Sequence, residues 1–174
     1  VVTNGMSQYS RAEFNANSGL VVDINPERDF PGDPLAGVRL QRELEEKAFV
    51  AGGSNYHAPG QRVADLLAGR PSNQFGVVQP SYKPGVKPTD LAEVLPAFVI
   101  EALREALPVF GRQVPGYDHP DAVMTGVETR TSSPIRIRRG AERHGEQHPK
   151  DKTHQVTSTG FPRSFVTMPN SFVA

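Results

Sequence analysis

The stretch Thr125–Arg136, TGVETRTSSPIR, concentrates side chains suited to gripping a polar ligand. Thr129, Thr131, Ser132 and Ser133 carry hydroxyls that both donate and accept hydrogen bonds. Arg130 offers a planar fork that can hold an anion through two parallel bonds, and Pro134 fixes the chain behind Ser133. The same composition also suits a solvated edge strand that ends in a Ser-Ser-Pro turn. A second polar group stands near the start, in TNGMSQYSR and NANSG. There Asn4, Ser7, Asn15 and Asn17 could line a pocket, although Asn-Gly and closely spaced asparagines suit hairpin turns equally well, and turns are the reading favoured. Tyr82 and Lys83, within QPSYKPG, could face a ligand, but a rigid proline spacer is the simpler account.

Other chemistries find less support. His144 and His148 have a spacing that would put two imidazoles on one helix face, yet Gly145 and Pro149 oppose a helix and no third ligand is evident. No metal site is expected. Arg136, Arg138, Arg139 and Arg143 form a basic strip without interleaved aromatics, which reads as a solvated strand edge. No nucleophile, base and orienting group stand in a recognisable catalytic arrangement, so catalytic residues stay unassigned. Lys and Arg total 19 against 19 Asp and Glu. This balance gives no long-range field to gather nucleic acid or an anionic membrane, and neither is expected as a partner. Without cysteine there is no disulfide framework, thiolate nucleophile or sulfur-ligated metal, which is compatible with the cytoplasm. No apolar run approaches the ~20 residues a spanning helix needs.

The elements that must position these groups fit one domain, loop-rich because Gly and Pro each number 16 in 174 residues. SGLVVDI reads as a strand over 19–24, closed by the turn cluster NPERDFPGDP. The strongest helix runs from Leu35 to Ala51, with Asp33 as N-cap, Pro34 at the first helical position and Gly52-Gly53 as the stop. Leu40, Leu44 and Ala48 give it a buried face, and Glu43, Glu45, Glu46 and Lys47 share its other sides. A short helix is expected over Gln61–Ala68 and a longer one over Leu91–Leu107, capped by Thr89, begun or kinked at Pro96 and limited by Pro108. Further strands fall near Val1–Thr3 and Gly126–Thr131. The expected fold is α+β: two or three helices on a small, mostly antiparallel sheet, with parallel pairing open as the alternative.

After Gly140 the composition breaks. Residues 141–174 hold no leucine or isoleucine, whereas residues 1–140 hold ten leucines. Such a tail buries too little to offset its ordering entropy, and it is expected to be irregular apart from a short docking of FPRSFVTM. The chain begins without methionine, in what reads as mid-strand, and is expected to be part of a longer protein.

Several stretches together resemble one family, the uncharacterised FAD-dependent dehydrogenases of bacteria, a branch of the flavoprotein oxidoreductases. They are VVTNGMSQYSR with NANSGLVV, PLAGVRLQRELEEKAF, NYHAPGQRVADLLAGRPS, VQPSYKPGV, and LPAFVIEALREALPVFGRQVPGY running into DAVMTGVETRTSSPIRIRRG. They stand in the family's order over residues 1–140, and the tail 141–174 does not match. The resemblance implies the C-terminal, substrate-side portion of a flavoprotein whose Gly-x-Gly-x-x-Gly fingerprint lies elsewhere, since no such motif occurs in this sequence. It further implies that ETRTSSP lies near the flavin, giving Arg130, Thr131, Ser132 and Ser133, with Asn4 and Ser7, as candidate cofactor contacts. FAD would be the family's cofactor, held weakly or not at all by this chain alone, and the chain alone would be inactive. Its partners would be the rest of the flavoprotein and a small-molecule substrate. The alternative is a non-catalytic α+β module that binds a protein or anionic partner through the basic strip and tail.

Overall fold

The computed structural model describes residues 3, 9–10, 12, 14–33 and 35–129, together with the backbone of three strands beyond them. Strand β1 (Ala16–Ile24) buries Leu20 and Ile24 and leaves Val21 and Asp23 outward, as alternation along a half-buried strand requires. A single turn, α1 (Pro26–Asp29), precedes α2 (Ala36–Ala51). Leu35, and not Asp33, stands at the N-cap of α2, which begins one residue later than its expected bounds; Asp33 accepts from Leu35 N at 3.1 Å and pairs with Arg39, and Pro34 lies outside the described residues. At the other end Gly53, at φ +101°, supplies the left-handed stop.

The sequence directly after α2 departs from expectation. Residues 58–62 form strand β2 (Ala58–Arg62), and helix α3 (Val63–Ala68) follows without a loop. Gln61 and Arg62 therefore pair with Met124 and Val123 and are not helical. Proline and glycine hide this strand in the sequence, yet each has a reason there. Pro59 O accepts from Gly126 N at 3.0 Å, and a Cβ on Gly60 would collide with Val86 Cγ1 on the neighbouring strand β3 (Val86–Pro88).

The expected helix over 91–107 is divided. Leu91–Glu93 is a 3₁₀ turn capped by Asp90, whose Oδ1 accepts from Ala92 N at 2.9 Å; Thr89 does not cap it. After Pro96 comes α4 (Ala97–Gln113), which carries Pro108 inside and continues past it. The regular strand lies earlier than the one expected at 126–131, as β4 (Val123–Thr125), whose pairing with β2 ends at Gly60–Thr125; Glu128 adds an isolated bridge, and 130–131, like residues 1–2 of the strand expected at Val1–Thr3, lie outside the described residues.

The chain is α+β. Its main sheet has the order β1-β7-β4-β2-β3, where β7 is Ser164–Phe172, and every neighbouring pair is antiparallel except β2–β3. The segment expected to dock thus contributes to a strand, and β5 (Ile135–Ile137) pairs separately with β6 (Val156–Ser158). Most of the remaining tail lies outside the described residues. Helices α2, α3 and α4 close over the sheet around Leu44, Leu66, Val99, Leu103, Leu107 and Met124, all buried. Each such side chain stabilises the fold by ~1.5–3 kcal/mol relative to exposure.

Candidate functional site

The six candidate cofactor contacts, Arg130, Thr131, Ser132, Ser133, Asn4 and Ser7, lie outside the described residues, but the residues flanking them are described. Thr3 N donates to Val127 O at 2.8 Å, which ties the start of the chain to the segment leaving β4. Thr3 is buried, and its Oγ1 has no hydrogen-bond partner among the described residues. Thr129, also buried, donates from Oγ1 to Glu45 Oε1 on α2 at 2.7 Å, and the same oxygen accepts from Gln41 Nε2 at 3.0 Å. Both polar stretches therefore issue from one place, where β4 ends beside α2. His144, His148 and Arg143 lie outside the described residues, as do Arg138 and Arg139.

The asparagine stretch is less turn-like than expected. Asn17 stands within β1, and the neighbouring Ser18 hydroxyl meets Tyr117 Oη at 2.8 Å. Asn15 donates from Nδ2 to Gln79 O at 2.7 Å and, with Phe14, Val77, Gln79 and Ser81, lines a hollow of about 400 Å³. Tyr82 donates to Tyr56 O at 3.3 Å and so joins its loop to the turn after α2. A second hollow of about 420 Å³ opens between β1 and α4 over Leu20, Val22, Ala102, Ala106 and Phe110.

An ionic chain centred on one buried carboxylate holds the loop that carries Val77 and Gln79. Asp65 on α3 is 2% exposed and accepts from Arg62 Nε at 2.8 Å, Arg70 Nε at 2.9 Å and Ser72 Oγ at 2.7 Å. Burial pulls its pKa upward more than any other single influence. The hydrogen bonds from Arg62 and Ser72 and the charges of Arg62 and Arg70 together outweigh it and keep the carboxyl below the usual carboxylate range. Arg62 Nη1 reaches on to Asp121 Oδ1 at 3.1 Å, and Asp121 Oδ2 accepts from Val77 N at 3.1 Å. Gly76 packs directly against that carboxylate, where a Cβ would collide with it. Gln61, 1% exposed, donates to Arg70 O at 2.7 Å and accepts from Leu91 N at 3.0 Å, closing the other side of the assembly.

Comparison with known proteins bears on what this framework serves. A family model described as "FAD-dependent protein, C-terminal domain-like" matches residues 1–131. The chain belongs to this family. It is also similar to an uncharacterized protein of Clostridium beijerinckii, 48% identical over 142 residues that cover 81% of this chain and 26% of that relative. The chain thus spans about a quarter of the length of the curated relative it matches.

For this member of the FAD-dependent family, sequence reasoning passed over the ionic chain and the Glu45–Thr129 contact. Arg62 and Asp65 stand three apart, a spacing that brings partners together on a helix, but Asp121 is brought in only by tertiary folding. Glu45 had the look of one more charge on a solvated helix side. Among the described residues no helix is long and apolar enough to cross a membrane.

Proposed function

We propose that this chain supplies the substrate-facing side of a flavin-dependent oxidoreductase and one wall of its isoalloxazine pocket. Bound FAD would supply the hydride or electron chemistry, and the protein orients the ring and excludes water. The wall would consist of Arg130, Thr131, Ser132 and Ser133 from one segment and Asn4 and Ser7 from the other. The observation that supports it is the Thr3–Val127 bond, which roots both segments side by side. The buried, unpartnered Thr3 Oγ1 beside Asn4 fits a wall whose polar partner is a ligand, since such atoms are ordinarily satisfied. The rest of the flavoprotein would complete the pocket around its substrate.

On this reading the chain alone grips FAD weakly. Much of the affinity of a dinucleotide site comes from a pyrophosphate seated on a helix N-terminus behind a glycine turn, and this sequence contains no Gly-x-Gly-x-x-Gly. A few hydrogen bonds of ~1 kcal/mol each do not offset the ~4–15 kcal/mol of lost ligand freedom. Flavin added to the chain should therefore wash out on desalting, yet quench measurably in titrations at high protein concentration. Riboflavin and FAD should bind within about twofold of each other, because only the ring is touched. A yellow protein that retains stoichiometric FAD, or a large preference for FAD over riboflavin, would place a pyrophosphate site here. Absence of any flavin response would remove the wall itself.

A further inference from the structure

We infer that the open edge of β1, with the apolar hollow it shares with α4, seats an extended apolar segment from the rest of the flavoprotein, added to the sheet as a further strand. The inference shares with the reading above only the longer flavoprotein, and it needs no flavin.

β1 and β3 end the main sheet, and they are guarded differently. β3 is three residues, Val-Lys-Pro, and shortness, a lysine and a proline each discourage another chain from pairing there. β1 has none of these devices. It runs nine residues, holds neither proline nor lysine, and meets β7 at every residue without a bulge. Among the described strands none pairs its other side. A strand of that length offers a partner a ladder of main-chain bonds ~30 Å long.

The hollow of about 420 Å³ lies along this same strand. Residues 19–23 line it in succession, and successive residues of a strand share an edge and not a face. Ala102, Ala106 and Phe110 of α4 line its other side. Val21 is 53% exposed and Val114, also in the lining, 49%, so apolar surface stands open to solvent here. Asp23 is the sole charged residue of the lining, which fits an apolar occupant. A second copy of this chain does not supply one. Pairing β1 with β1 would bring in Leu20 and Ile24, which are already buried in their own core, and the hollow would stay empty. The chain spans about a quarter of its relative's length, so a protein of that length holds ample further sequence from which the strand can come.

The test uses the 174-residue chain and synthetic peptides that tile the part of the Clostridium beijerinckii relative lying outside its match to this chain, with binding followed by NMR. The expected result is that one apolar tile binds and its scrambled version does not. That tile should slow exchange at least tenfold at every second amide of residues 16–24, the pattern of a strand added on one side, and leave the amides that face β7 as they were. Val21→Lys and Val114→Lys change exposed positions, which the fold tolerates, and each should weaken the tile at least tenfold. No tile binding, or a tile that binds both variants as it binds the wild type, would overturn the inference. So would a dimer, seen by sedimentation, that Val21→Lys abolishes, since it would give the edge to a second copy. Because no flavin is added, failure of the flavin wall leaves this result standing, and failure here leaves the wall.

Discussion

Replacing Asp65 with asparagine should cost this domain about 3 kcal/mol. The carboxylate is 2% exposed and takes three donors, two of them guanidinium groups at 2.8 and 2.9 Å. Removing one partner of a buried ion pair costs ~3–5 kcal/mol, because the remaining charge is left desolvated. Two features draw the value toward the lower bound. Asparagine keeps one acceptor oxygen, and the Arg70 side chain is 64% exposed, so water takes over much of its share. With a urea slope of ~1.5–2 kcal/mol/M for a domain of this size, the midpoint followed by far-ultraviolet circular dichroism should fall by ~1.5–2 M at unchanged slope. Acidification supplies an internal check. The folded-state pKa of Asp65 is depressed, so its stabilisation is fully present above the unfolded carboxyl value near ~3.9 and is lost as the pH falls through the folded value. The gap between wild type and Asp65→Asn should therefore be widest near neutrality and should close on acidification. A midpoint shift below ~0.3 M, or a gap that widens in acid, would refute the reasoning.

Substituting Gly76 with alanine drives a methyl into the Asp121 carboxylate and should cost ~1–3 kcal/mol in urea melts, an effect much reduced in an Asp121→Ala background. Gln61→Leu leaves Arg70 O and Leu91 N without their partner and should cost ~2–4 kcal/mol by the same assay, since each orphaned buried group costs ~1–3 kcal/mol. Leu107→Ala empties a fully buried site behind Pro108 and should lose ~2–5 kcal/mol in thermal or urea unfolding. Gly69→Ala forces a Cβ into a left-handed C-cap at φ +69° and should lose about 1 kcal/mol.

What could be read in advance was what is settled locally. Helix α2 was legible because its stop signal and its Leu40, Leu44, Ala48 spacing agree, and β1 because its apolar run is bounded by a turn cluster. The α+β class followed from such segments. β2 was not legible, because Ala-Pro-Gly-Gln-Arg has little intrinsic preference for a strand and is made one by Val86 on one side and Met124 on the other. Asp90 took the capping role assigned to Thr89 because its carboxylate reaches Ala92 N, a distinction that the adjacent pair of cap formers does not resolve. Pro108 proved compatible with a helix that runs on to Gln113. The two polar segments were legible as polar and as similar to a flavoprotein, but what roots them, Thr3 on Val127 and Thr129 on Glu45, joins residues distant in sequence. No periodicity encodes such contacts.

The fastening of Val77 to Asp121 also decides where foreign sequence can be spliced into this domain. By composition, residues 73–85 are a proline-rich surface loop of the kind that usually accepts inserted peptides, but tolerance follows the bonds of the backbone being parted. A tag placed between Asn73 and Gln74 separates two exposed residues. Three residues further on, between Gly76 and Val77, the same tag would pull Val77 N away from Asp121 and so slacken Arg62, the link to the α3 carboxylate. The loop is therefore a graft site at its entrance and a closed seam at its middle, a boundary that the chain's exposure alone does not mark.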